Sequence, residues 1–79
     1  MPDYDEFLNQ ARLTSSGEID RSAVDFSWAA TALSRGHSVE DVMLELERVS
    51  LKVASLSKSA RADYVRRTVR AAMREGTHR

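Results

Sequence analysis

The apolar residues of the chain recur with the 3.6-residue period of α-helices, and no stretch alternates with the two-residue period of a strand. Four helices are predicted, over residues 3–13, 21–35, 39–50 and 59–75. The stretch 50–60 fits either an extension of the third helix or a short extra helix. The expected fold is therefore all-α: a single domain, residues 1–79, built as a small bundle of four or five helices.

Glycine and small polar residues mark the predicted helix ends. Gly36 and Gly76 each follow a strong helical pattern, at the position where a left-handed residue closes a helix at low cost. Asp20 or Ser22 is expected to cap the start of the second helix, and Ser38 the start of the third. The pattern therefore predicts a sharp turn between the second and third helices.

The second predicted helix is apolar on two opposite sides, which is typical of a helix covered by neighbours on both. On one side Phe26 and Leu33 are both expected in the core. Trp28, on the other side, has two interpretations. It is either a packing residue, which we favour because large aromatic side chains bury much area, or a stacking platform for a nucleobase.

Charge is unevenly distributed along a chain whose net charge is zero. Residues 1–57 carry ten acidic and five basic side chains, whereas residues 58–79 carry seven basic and two acidic ones. There is no cysteine and therefore no thiolate metal site; His37, close to Glu40 and Asp41, is interpreted as a solvated loop residue. We predict no cofactor, no metal, no catalytic residue and no membrane segment, and a cytoplasmic location.

The last helix carries the clearest functional signal. On a helical wheel four arginines fall within an arc of about 100°, with Asp63 among them; they are Arg66, Arg67, Arg70 and Arg74. Two explanations stay open: salt bridges to the acidic third helix, or binding of phosphates. Further candidates for phosphate contact are Lys52, Lys58 and Arg61, and Tyr64 is a second candidate for stacking on a base.

One stretch of the sequence, residues 20–73, resembles the C-terminal helical domain of RepB-type plasmid replication primases, a domain that also occurs in relaxase–primase fusions. The combination of "ALSRGHS" with "YVRRTV" is its most telling part. Family members often have proline after the serine matched by Ser50, where this chain has Leu51. The matching positions are Ser22, Asp25, Phe26, Gly36, Ser38, Leu46, Ser50, Tyr64, Arg67, Thr68 and Val69.

The resemblance implies an accessory domain that engages a single-stranded DNA template and initiating nucleotides, while primer synthesis is catalysed by a separate domain. The implied partners are the template, the primase catalytic domain and an NTP, and the isolated chain is not expected to be an enzyme. Arg67 is the basic residue that the motif carries over most directly. The alternative is a protein-interaction or oligomerisation module with acidic and basic docking faces.

Overall fold

The computed structural model describes residues 1–11, 15–17 and 19–77, and within them the chain forms five helices and no strand. The all-α prediction is confirmed. The helices are α1 (Tyr4–Asn9), α2 (Arg21–Ser34), α3 (Val39–Val49), α4 (Leu51–Ala54) and α5 (Lys58–Thr77).

Helix α2 lies at the centre of the bundle and contacts each of the other four helices. Trp28 is completely enclosed, and Leu46 of α3 and Val69 of α5 pack into the same core. Phe26 and Leu33 pack against this core but are only partly buried, so the more enclosed side of α2 is the one that carries Trp28. The fully or nearly fully buried apolar residues are Tyr4, Val24, Trp28, Ala29, Ala32, Val42, Leu46, Val53, Val65, Val69 and Ala72.

The helix bounds differ from the predicted ones at three places. Helix α1 ends at Asn9, a poor helix former, whereas the pattern predicts a helix to residue 13; residues 12 and 13 lie outside the described part. The ambiguous stretch contains a separate short helix, α4, because Ser50 turns the chain out of α3 and caps a new helical turn. Helix α5 does not stop before Gly76 as predicted but continues through it to Thr77.

The turn between α2 and α3 has the hydrogen bonds of a Schellman motif. Gly36 adopts a φ of 93°, and its N–H donates to the Leu33 carbonyl at 3.1 Å. The next N–H, that of His37, donates to the Ala32 carbonyl at 3.3 Å. The hydroxyl of Ser38 then accepts the N–H of Asp41 at 3.1 Å. These bonds satisfy the free backbone groups at both helix ends, and they confirm the predicted glycine terminator and serine cap.

Replacing Gly36 tests whether this turn depends on backbone conformation. Gly36→Val is expected to destabilise the fold by at least about 1–2 kcal/mol, because L-residues pay that for a left-handed backbone and β-branched ones tolerate it least. A Cβ at this position meets no atom within 4 Å, so steric clash contributes nothing. Chemical denaturation measures the effect. Gly36→Asn is the matched control and should cost less; equal losses for the two variants would contradict a conformational cause.

Candidate nucleic-acid interface

The arginines of α5 lie on its solvent side, opposite the face that packs on the core. All four side chains are exposed, whereas Val65, Val69 and Ala72 are buried. Met73 has the helical spacing of the apolar face, but it is 40% exposed and lies beside the arginines. The four arginines are Arg66, Arg67, Arg70 and Arg74, and we refer to them together as the arginine face.

Internal ion pairs account for only part of this positive charge. Arg67 Nε lies 3.0 Å from a carboxylate oxygen of Asp63, one turn earlier in the same helix, and both side chains are exposed. Within the described residues, Arg66 and Arg70 form no ion pair at all, and Arg67 forms none with α3. Salt bridges to the acidic third helix therefore do not explain these three arginines.

The three additional basic candidates differ in solvent exposure. Lys58 is exposed at the first turn of α5, and Lys52 is partly buried in α4. Arg61 is also partly buried and donates from Nε to the Leu56 carbonyl at 3.0 Å, which ties the start of α5 to the loop after α4. Lys58 is thus the most accessible of the three, and Arg61 has a structural contact of its own.

A buried carboxylate fixes how α5 is turned against the rest of the bundle. Asp25 of α2 is completely buried and accepts hydrogen bonds from three hydroxyl groups. Tyr4 donates to its Oδ1; Ser50 and Tyr64 each donate to its Oδ2 at 2.6 Å. Bonds to a charged acceptor are stronger than neutral ones. Asp25 therefore joins α2 to α1, to the start of α4 and to α5, and we call these four residues the Asp25 cluster.

Ser50 links this cluster to local helix formation. Its hydroxyl donates to Asp25 while accepting the N–H of Val53 at 3.1 Å, so one side chain both caps α4 and reaches α2. Leu51, where family members often have proline, is the first residue of α4, a position at which proline is also favoured because its N–H has no helical partner. The departure from the family pattern therefore leaves the start of this helix unchanged.

The sequence contains a signal for the Asp25 cluster, although the family pattern does not show that its members meet. Three of its four members, Asp25, Ser50 and Tyr64, are positions of the family pattern, yet they were treated there as separate matches. The feature that identifies the cluster is an aspartate inside an otherwise apolar helical stretch, since a buried charge requires partners.

The two aromatic candidates for base stacking are buried to different extents. Trp28 has no exposed surface, its Nε1–H donates to the Pro2 carbonyl at 2.9 Å, and its ring meets the edge of Tyr4 with centroids 6.2 Å apart. The stacking interpretation of Trp28 is therefore wrong, because the N-terminal segment covers the indole. Tyr64 is half-buried with its hydroxyl committed to Asp25, so base stacking by its ring stays a prediction.

Both tyrosines of the chain belong to the Asp25 cluster, and their ionisation is opposed for the same reasons. Burial, and then the hydrogen bond to the Asp25 carboxylate, raise the pKa of Tyr64 to about 12, while the hydroxyls of Ser22 and Thr68 act in the opposite direction. Burial and Asp25 likewise raise the pKa of Tyr4 well above its usual range. Each phenol is thus held neutral, as the donor that the carboxylate needs.

Two further properties complete the description. No helix in the described part of the chain is long and apolar enough to cross a membrane. Among the same residues, His, Asp and Glu side chains do not gather in groups of three that would suit a metal ion.

The features above define a small all-α bundle in which a basic helix is fixed to the core through a buried polar cluster. The model of the RepB DNA-primase C-terminal helical domain matches residues 19–72, more than half of the chain. The chain therefore belongs to the family of RepB DNA-primase C-terminal helical domains, and the resemblance noted in the sequence is confirmed. No curated protein matches it, and no solved structure does.

Removing the buried carboxylate tests whether it holds the helices together. Asp25→Ala leaves three buried or half-buried hydroxyls without their acceptor, and each such donor costs about 1–3 kcal/mol. We expect a loss of at least about 3 kcal/mol in denaturant unfolding. Adding Tyr4→Phe and Tyr64→Phe to the Asp25→Ala chain should recover part of this loss, because the unpaired phenols are then gone. A stability of Asp25→Ala within a few tenths of a kcal/mol of wild type, as typical surface changes give, would contradict a structural role for the cluster.

The raised tyrosine pKa values predict a loss of stability at high pH. An unfolded tyrosine ionises near pH 10, whereas Tyr64 in the folded chain keeps its proton up to about pH 12. The stabilisation is therefore complete below about pH 10 and disappears as the pH rises through the folded-state pKa. Ultraviolet titration of tyrosinate should show almost no ionisation at pH 10 in the folded chain and about half in urea. A normal tyrosinate transition near pH 10 in the folded chain would contradict the structure.

Proposed function

We propose that this chain is the accessory helical domain of a DNA replication primase and that it holds single-stranded template, together with initiating nucleotides, for primer synthesis catalysed by a separate domain. The observation that carries the proposal is the arginine face of α5, where Arg66 and Arg70 are exposed and have no carboxylate partner among the described residues. Membership of a primase family supplies the context. We assign the domain to the cytoplasm, where a plasmid is replicated.

The ligand that fits the arginine face is a chain of phosphates. Guanidinium groups donate in a planar fork that matches phosphate oxygens, and Arg66 and Arg70 lie one helical turn apart, about 6 Å along the axis. The pair between Arg67 and Asp63 is exposed, and exposed pairs contribute only about 0–1 kcal/mol. A phosphate can therefore displace Asp63 at little cost and engage Arg67 as well.

The Asp25 cluster would make this surface rigid before a ligand arrives. Tyr64 precedes Arg67 by three residues in α5 and is fixed to α2 through Asp25. A helix held in this way presents its arginines without first having to reorder, which reduces the entropy cost of binding. Lys58 is the nearest exposed extension of the surface along the same helix, whereas Lys52 and Arg61 are partly buried and should contribute less.

Contacts of this kind are sequence-independent and sensitive to salt. Three or four phosphates neutralised on a single strand predict a slope of about −2 to −3 for log affinity against log salt, at about 0.7 per contact. Arg66→Ala with Arg70→Ala should flatten the slope by about one unit or more and weaken all template sequences alike. Fluorescence anisotropy of labelled single-stranded oligonucleotides across a salt series measures both effects.

A matched control separates the arginine face from general positive charge. Arg21 and Arg35 are also exposed arginines, but they lie at the two ends of α2. Arg21→Ala with Arg35→Ala removes the same charge and should leave the slope close to that of wild type. Equal effects of the two double variants would show that binding follows net charge, and the arginine face would then not be the template site.

A further inference from the structure

The outer face of α3 combines an exposed leucine with unpaired acidic side chains. Leu44 is 68% exposed, more than any other large apolar side chain in the described part of the chain. Helical spacing places Glu40, Asp41 and Glu47 within one turn of it. These three carboxylates form no ion pair with any described residue, while Glu45 is neutralised by Arg48 of the same helix. The carboxylates repel nucleic acid, and the surface suits a partner that carries basic side chains next to an apolar one.

The arginine face of α5 carries the opposite charge and also borders an exposed apolar side chain, which here lies at one end. Met73 is 40% exposed and lies three residues after Arg70 and seven after Arg66. On α3, Glu40 and Glu47 are likewise seven residues apart, with Leu44 between them. Seven residues span about 10 Å of helix, so each face presents two charges and one apolar side chain over the same length.

The two faces are not joined within one molecule. Helices α3 and α5 pack through their buried sides, on which Val42 and Leu46 oppose Val65 and Val69 in the core. Their charged faces point to solvent, and no ion pair joins Glu40, Asp41 or Glu47 to a described residue of α5. Each copy therefore carries Glu40, Asp41 and Glu47 on one face and Arg66 and Arg70 on another, none of them in an ion pair with a described residue.

We propose that the outer face of α3 is a docking site for the arginine face of a second copy of this chain. With the two helices antiparallel, Leu44 packs on Met73 and Glu47 pairs with Arg70, because each charge lies three residues from its apolar neighbour. Glu40 and Arg66 add opposite charge at the two ends of the contact. The net charge of zero favours this occupant, because two copies have no overall repulsion to overcome. The contact is heterologous, so a pair of copies keeps one free face of each kind, and the assembly grows head to tail.

Two double variants each disrupt one of the two surfaces that form the contact. The acidic-face variant carries Glu40→Gln and Glu47→Gln; the basic-face variant carries Arg66→Glu and Arg70→Glu. Sedimentation velocity at low salt should show concentration-dependent association of wild type, weakened at least about tenfold at physiological ionic strength because exposed charges are screened. Each variant alone should be monomeric. An equimolar mixture of the two should form dimers and stop there, because each variant retains one intact face of the opposite kind.

A third variant excludes simple attraction between chains of opposite net charge. Adding Leu44→Lys to the basic-face variant leaves it strongly negative but breaks the apolar centre of its α3 face; Leu44 is exposed, so the fold should be unaffected. This chain should bind the acidic-face variant at least about tenfold more weakly than the basic-face variant does. Helix content by circular dichroism confirms that each chain is folded.

Three results would overturn the inference: a wild-type chain that stays monomeric at low salt, a mixture of the two variants that does not associate, or undiminished binding after Leu44→Lys. These measurements contain no DNA, so they are independent of the proposed template site. A chain that binds template but does not self-associate supports only the template site. A chain that self-associates but does not bind template supports only the docking site.

Discussion

The bundle depends on one buried negative charge. Asp25 lies at the centre of α2 without access to water, and burying a carboxylate is tolerated only when hydrogen bonds replace its hydration. Three hydroxyls from three different parts of the chain supply those bonds. A purely apolar core of small side chains would allow the helices to rotate and slide, whereas three directed bonds to one carboxylate specify a single arrangement. A chain of 79 residues with few large apolar side chains has only a modest core, and the directed bonds to Asp25 add to the specificity of its packing.

The orientation of α5 follows from this constraint. With Tyr64 bound to Asp25 and with Val65, Val69 and Ala72 buried, the helical period places all four arginines in solvent. Their mutual repulsion is a cost that the fold itself does not relieve for Arg66 and Arg70 within the described residues. A helix that keeps such a face and is also rigidly held is better explained by an external anion or an acidic partner than by the stability of the bundle.

Most of the helices and the turn between α2 and α3 could be predicted because they depend on local sequence. The period of apolar residues located α2, α3 and α5, and Gly36 and Ser38 identified the turn from the conformational and capping preferences of single residues. Tertiary contacts could not be obtained in this way. That Trp28 is covered depends on Pro2, which is 26 residues away in sequence, and Met73 has the correct spacing for the core but projects beyond the edge of its neighbours. The arginine face was predictable from the helical wheel, whereas the lack of carboxylate partners for Arg66 and Arg70 required the position of α3.

The N-terminal segment, residues 1–11, belongs to the same structural unit as the region that the family pattern covers. The family match begins at residue 19, yet Tyr4 and Pro2 satisfy polar groups of Asp25 and Trp28, both inside the matched region. Without these contacts, a buried carboxylate oxygen of Asp25 and the indole N–H of Trp28 would each lose a hydrogen-bond partner. Residues before the match are therefore part of the same hydrophobic core and hydrogen-bonded cluster. Pro2 and Tyr4 also line a groove with Glu45, Arg48 and Val49, so the residues before the family match pack beside α3 as well as joining the cluster that holds α5.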